Sequence, residues 1–132
     1  MLGTFQKSEL RIEIEASQAE IGACLTRPSQ LQKWLWPQRL SAGLPDSLAV
    51  GLEFSSWTGL IEVKHRVEVV SPNSLRLILS GGVDGFHEWY WGDGWLQSHI
   101  EGVSLLPISL GQTTNLFKLR EYLRLQKMGV VA

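Results

Sequence analysis

The chain has a single cysteine, no long apolar run and no excess of charge of either sign, and each lack excludes something. Cys24 has no partner for an internal disulfide. Set in a helical pattern between Ile21 and Leu25, it reads as a small buried apolar residue rather than a reactive thiol. With 12 basic and 13 acidic residues and a formal net charge of -1, there is no basic field to draw nucleic acid or an anionic membrane. No segment approaches the roughly 18 apolar residues of a membrane span. Met1 to Lys7 lacks the cationic region and apolar stretch of a signal peptide, so a cytoplasmic protein is expected. There is no His-x-His or Cys-x-x-Cys pair, and the inward strand positions offer no carboxylate, so no metal site is expected. Gly81-Gly82 and Gly92-Asp93-Gly94 are followed by no Gly-Lys-Ser/Thr and open no helix. They read as turns rather than phosphate loops, and no cofactor is implied.

What the chain does have is six tryptophans in 132 residues, and large indoles must either fill a core or line a cavity. Three of them fall between Phe86 and Ile100. Asp93-Gly94 offers two residues suited to positive φ for a tight hairpin turn, with strand-forming residues on both sides. That turn sets Gly92 against Trp95, Trp91 against Leu96, Trp89 against Ser98 and His87 against Ile100. His87, Trp89 and Trp91 then point inward, facing small Ser98 and Gly102. Glu88, Tyr90, Gln97, His99 and Glu101 face water.

The length is that of one domain, residues 1–132, which buries about two-thirds of its unfolded surface without staples. Leu10, Ile12 and Ile14 alternate with Arg11, Glu13 and Glu15, the pattern of a half-buried strand. Ser17 caps a short helix to about Leu25, with Glu20 completing a capping box. Pro28 opens a second helix and Pro37 closes it at Trp36. Leu48–Trp57 and Leu60–Val70 read as strands joined at Thr58-Gly59. That register opposes Phe54 to Val63, Leu52 to His65, Val50 to Val67 and Glu53 to Lys64. After Ser71-Pro72-Asn73, Leu75, Leu77 and Leu79 continue the inner face, while Arg76 meets Glu68 outside. Gly81 to Gly85 turns the chain into the aromatic hairpin, whose second strand reaches about Ser104. Gln112–Lys127 fits a long amphipathic helix through Leu116, Leu119 and Leu123, and Met128–Ala132 reads as a frayed end. The order is strand, two short helices, five antiparallel strands and a long helix. This is an α+β fold in which the last helix covers the apolar face of a curved sheet and leaves a space between them.

This order and several local motifs resemble the START-related helix-grip superfamily, which includes polyketide cyclase and dehydrase-like proteins, lipid-transport-like domains and the birch-pollen-allergen group. The motifs are Thr26-Arg27-Pro28 through Trp34, Gly51-Leu52-Glu53-Phe54, Val70-Ser71-Pro72-Asn73-Ser74-Leu75 and the closing helix around Leu116–Leu123. The chain departs from the superfamily pattern at Arg27 and at Trp95. Six strands are legible; a seventh, short strand lies near Gln38–Ala42 or is absent. The resemblance implies a pocket for a small hydrophobic or amphipathic molecule and carries over no shared catalytic residue. It also implies a competitor, since small members can fill the pocket with their own side chains.

The ligand-binding candidates are Phe54, Ser56, His65, Leu79, His87, Trp89, Trp91, Ser98 and Phe117. His65 and His87 both face inward, each beside Leu79, with backbones about 9 to 10 Å apart. Each imidazole is either satisfied by a neighbouring group, orients a ligand by a hydrogen bond, or acts as an acid or base. Trp34 is expected to pack on the sheet, and Trp36 and Trp57 to stand at a pocket mouth or a partner surface. The leading expectation is binding of a small hydrophobic or aromatic ligand. The rivals are a cyclase or dehydrase-like enzyme using His65 or His87, and an interaction module of the chaperone-ATPase-activator type. A homodimer is left open.

Overall fold

A computed structural model describes residues 3–131. Met1 and Leu2 of the N-terminal stretch and Ala132 of the expected frayed end lie outside the described residues. Strand β1 (Thr4–Glu13) leads into helices α1 (Gln18–Thr26) and α2 (Pro28–Leu35). The strands β2 (Arg39–Leu40), β3 (Glu53–Thr58), β4 (Ile61–Ser71), β5 (Ser74–Gly81), β6 (Val83–Gly92) and β7 (Trp95–Ser104) follow, and α3 (Ile108–Lys127) closes the chain. They form one seven-stranded antiparallel sheet in the order β1-β7-β6-β5-β4-β3-β2. The short seventh strand is β2, inside the Gln38–Ala42 window.

Local chemistry accounts for the helix ends. The Ser17 hydroxyl accepts the Glu20 N–H at 3.1 Å, and the Glu20 carboxylate accepts the Ser17 N–H at 2.9 Å. This capping box holds the Glu20 carboxyl below its usual range. Pro28 occupies the first turn of α2, where a missing N–H costs nothing. α3 begins four residues before the expected Gln112. Its first turn starts directly after Pro107, and the side chain of Gln6 accepts the Ile108 N–H at 3.1 Å.

The aromatic hairpin has the expected register throughout, from Gly92 opposite Trp95 to His87 opposite Ile100. Its turn differs: Gly94 alone has positive φ, at 83°, and Asp93 does not. The Asp93 carboxylate instead accepts the Gln18 N–H at 2.7 Å, tying the hairpin tip to the start of α1.

Three registers are corrected. β3 and β4 turn at Gly59-Leu60, not Thr58-Gly59, so Phe54 opposes His65, Ser56 opposes Val63 and Glu53 opposes Arg66. The slip is an even number of residues and leaves every side chain on its expected face. Residues 48–52 are not strand: Gly51 at φ 90° makes a turn there, and Val50 is 67% exposed rather than set against Val67. Beyond Leu79, which opposes His65, β5 places Leu77 rather than Leu79 opposite His87. A bulge at Val67–Val69 sets Arg76 opposite Val69, yet its guanidinium still meets Glu68 at 2.8 Å and Glu88 at 3.1 Å.

The concave face of the sheet carries Phe54, Val67, Leu75, Leu77, Leu79, Trp89, Trp91, Leu96 and Ile100, all buried. α3 lays Leu116, Leu119 and Leu123 across it. Each leucine so buried stabilises by about 1.5–3 kcal/mol. α1 and α2 close the two ends of the trough, and between α2 and the sheet the packing is incomplete.

Candidate functional site

The incompletely packed region is a small, partly enclosed void of about 80 Å³. It is bounded by Leu31, Trp34 and Leu35 of α2, Gln38 and Leu40 beside β2, Phe54, Ser56, His65, Leu75, Leu77, His87 and Trp89 of the sheet, and Asn115 of α3. Period-2 alternation directs the strand residues inward, and the curvature of the sheet separates them from α3. A larger cleft of about 540 Å³ lies on the outer face beside Ser55, Lys64, Arg66 and Ser80. It shares Phe54 and His65 with the smaller void but is otherwise lined mostly by charged and hydroxyl side chains, so the more apolar inner void is the better site for an apolar ligand.

Both histidines stand against an aromatic ring and a serine. His65 stacks on Phe54 with ring centroids 4.7 Å apart and an interplanar angle of 8°. Its Nε2 lies 2.9 Å from the Ser56 hydroxyl. His87 stacks on Trp89 at 4.3 Å, and its Nε2 lies 2.6 Å from the Ser98 hydroxyl.

The second pair continues into a buried polar chain. Gln112 Nε2 donates to the Ser98 carbonyl at 3.0 Å, the Ser98 hydroxyl at 3.0 Å and the Ser8 carbonyl at 3.2 Å, while its Oε1 accepts the Ser8 hydroxyl at 2.6 Å. Two carbonyls can only accept, so the amide orientation is fixed. The Ser98 hydroxyl thus bridges Gln112 Nε2 and His87 Nε2.

Burial dominates the titration of both rings. It lowers His65 to about 4, and burial, with the nearby His65 and His99 charges, lowers His87 to about 3. Each ring is therefore neutral near pH 7, a hydrogen-bonding group rather than a proton donor of the imidazolium kind. His65 Nδ1 is buried without a hydrogen-bond partner among the described residues. The less costly tautomer puts the proton on Nε2, toward Ser56, and leaves Nδ1 as a bare acceptor.

The expected site residues separate into four groups. Phe54, Ser56, His65, His87 and Trp89 border the void. Leu79 and Ser98 are buried behind it, Ser98 acting through His87. Trp91 lies at the other end of the trough against Gly22, where an added Cβ would stand 3.1 Å from the indole nitrogen. Phe117 is corrected outright: it is 49% exposed and covered on one face by Arg120 at 4.8 Å.

Gln112, Asn115 and Gln38 were not anticipated. Gln112 was legible as the one polar residue on the stripe that continues through Leu116, Leu119 and Leu123. Gln38 follows a proline and has no periodic neighbour. It sits at the void because Gln32 holds the segment: Gln32 Nε2 donates to the Gln38 carbonyl at 2.9 Å, and Gln32 Oε1 accepts the Leu40 N–H at 2.8 Å. Trp34 packs as expected and donates to the Cys24 carbonyl at 2.9 Å. Trp36 is 72% exposed beside this segment, and Trp57 is half-buried. His99, on the outer face, lies 3.2 Å from Glu9 and 3.0 Å from Glu101. Asp84 is exposed there too, away from the void. No group of three metal-binding side chains occurs among the described residues, and no described helix is long and apolar enough to cross a membrane.

No protein-family model matches the chain, and no curated protein matches its sequence. Solved structures do match. A protein of the dynemicin biosynthetic locus is 17% identical with a TM-score of 0.68, over 89% of this chain and 47% of that one. This chain thus spans about half its length. A Chromobacterium violaceum protein is 17% identical with a TM-score of 0.69, covering 88% of this chain and 95% of that one. A point mutant of Thalictrum flavum norcoclaurine synthase, in complex with a transition-state analogue, is 14% identical with a TM-score of 0.66, over 96% of this chain and 99% of that one. At these identities the likeness establishes architecture, and the architecture agrees with the element order, the sheet and the closing helix: the chain has a helix-grip fold.

Proposed function

We propose that the chain binds a small hydrophobic or aromatic molecule in the void between the curved sheet, α2 and α3. The observation that carries this reading is the pair of neutral histidines, each stacked on an aromatic ring and bonded to a serine, bordering one small, mostly apolar space. Phe54 and Trp89 supply apolar walls, and Ser56, His65 and His87 supply orientation. A ligand of this kind buries its ring against Trp89 and Leu77 and spends one polar group on an imidazole nitrogen. The fold neighbour in complex with a transition-state analogue supports the idea that the trough accommodates small molecules.

The size of the void limits the ligand. Drug-sized pockets run to about 300–1,000 Å³, and this one is about 80 Å³. A ligand of a few non-hydrogen atoms fits the space as it stands. A larger one, such as a lipid chain, requires the segment from Trp36 to Leu40 to move away from Asn115. The same volume favours a second reading, in which Trp34 and Trp89 fill the trough and the fold serves without a ligand. A cyclase or dehydrase-like enzyme would use the same two histidines, which being neutral near pH 7 would start as proton acceptors, weakened by the burial that lowers their proton affinity.

Tryptophan fluorescence separates these readings. Titration with phenol, indole and short fatty acids is expected to quench or shift the emission of Trp89. His87→Gln and His65→Gln should each weaken that binding about 3- to 10-fold, the worth of one hydrogen bond. An enzyme would instead lose turnover about 100-fold or more in one of these variants. No response to any ligand, with no small molecule retained in native mass spectrometry, overturns the proposal in favour of the filled trough.

A further inference from the structure

β1 ends the sheet: among the described residues only β7 pairs with it, and no described strand lies along its other edge. An open edge of ten residues is a template for another strand, and sheet proteins ordinarily shorten, cover or charge such an edge. Here the outward side chains are Lys7, Glu9, Arg11 and Glu13, all exposed and alternating in sign. Their present partners are surface contacts within the chain: Lys7 to Glu101 at 3.5 Å, Glu9 to His99 at 3.2 Å and Arg11 over the Trp95 ring.

The alternation favours one register, since axes at Ser8 or Ile12 oppose unlike charges in only one kind of pair each, Lys7 with Glu9 or Arg11 with Glu13. Two copies of β1 run antiparallel about a two-fold axis at Leu10 bring Lys7 opposite Glu13 and Glu9 opposite Arg11, and the symmetry repeats both pairs. Every outward charge then faces its opposite. Moving the axis one residue to Glu9 opposes Glu9 to itself and Lys7 to Arg11; moving it to Arg11 opposes Arg11 to itself and Glu9 to Glu13. Half-residue shifts set outward side chains against inward ones. The neighbouring registers are thus penalised by like charges, and the one at Leu10 is favoured twice over.

The inward residues agree. Leu10 and Ile12 are only partly buried, and the axis at Leu10 sets Leu10 against its own copy. On the same flank, Arg120 of α3 shares a groove with Glu13 and Glu15, and exposed Phe117 lies against Arg120.

We propose that the β1 edge joins a second copy of this chain, antiparallel and centred on Leu10, making one continuous sheet across the dimer. The claim is independent of the ligand site. Sedimentation velocity over about 10–500 µM at low ionic strength, where charge pairing is least screened, tests it with four proteins: wild type, Lys7→Glu, Glu13→Lys and the double variant. The wild type should associate. Either single reversal makes both symmetric Lys7–Glu13 pairs repulsive and should weaken association about tenfold. The double variant exchanges the charges and should recover wild-type association to within about threefold. Circular dichroism melts establish that each variant is folded. A wild type monomeric throughout overturns the proposal. A dimer indifferent to the single reversals overturns the surface, and single-variant losses that the double variant does not recover overturn the register.

Discussion

The two ends of β6 point their side chains into the same trough and meet different fates. At one end Trp91, 1% exposed, lies opposite Leu96 and against Gly22 of α1, its indole N–H without a hydrogen-bond partner among the described residues. Four residues back, His87 and Trp89 border a void, and the histidine belongs to a polar chain that runs through Ser98 and Gln112 to Ser8. The difference comes from what closes each end. α1 is tied down by its capping box and by Asp93, and it presents a glycine on which the indole can lie flush. α2 stops at Pro37 and leaves its end of the trough to a short segment held by Gln32. One strand therefore supplies structural strength at one end and a receptive surface at the other.

If that division holds, Trp91→Ala should be the most damaging single change, lowering stability by about 3–5 kcal/mol in chemical denaturation. The loss is that of a large side chain in a site with no room to collapse. A cost below about 1 kcal/mol would erase the distinction between the ends.

The polar end should declare itself through pH instead. Both folded-state values are depressed, from 6.5 to about 4 for His65 and about 3 for His87, so the unfolded chain takes up protons first. Stability from these rings is complete above about pH 6.5 and falls as pH drops below it, by about 1.4 kcal/mol per pH unit for each histidine until its folded value is reached. Denaturation at pH 7, 6 and 5 measures the slope. His87→Gln should remove its share, whereas Trp91→Phe should lower stability and leave the slope unchanged.

The smallest effect belongs to Phe117. Phe117→Ala should change stability by less than about 0.5 kcal/mol and leave ligand affinity unaltered, because the ring lies on the solvent side. A tenfold loss of affinity in a fluorescence titration would put α3's outer face into the site after all.

Most of the scaffold was legible in the sequence. The Ser17–Glu20 box, Pro28, the alternation of β1 and the Asp93-Gly94 hairpin each follow from local chemistry, and each recurs in the structure. The β3–β4 register was ambiguous because Gly59 can be either the second or the first residue of a two-residue turn, and both choices leave the same faces inward. Val50 failed because alternation continues unbroken through a turn that only the φ of Gly51 reveals. Phe117 failed because residues adjacent in sequence on a helix point about 100° apart; with Leu116 buried beneath the helix, its neighbour is carried to the surface. His65 and His87 were identifiable as inward-facing, but Ser56 and Ser98 lie diagonally from them across the β3–β4 and β6–β7 hairpins, and side-chain conformation rather than register decides that contact. The void was beyond reach altogether. Its volume is set by how Trp34 and Trp89 share the space with Gln38 and Asn115, and no pattern along the chain encodes that.

The central claim is that one end of the trough receives a small molecule and the other does not. Phenol titrated into isotope-labelled protein and followed residue by residue in NMR spectra measures it directly. The account predicts saturable shifts clustered at Phe54, Ser56, His65, Leu77, His87 and Trp89, with Gly22, Trp91 and Leu96 unmoved. Shifts centred on Trp91, or none at any residue of the trough, would contradict it.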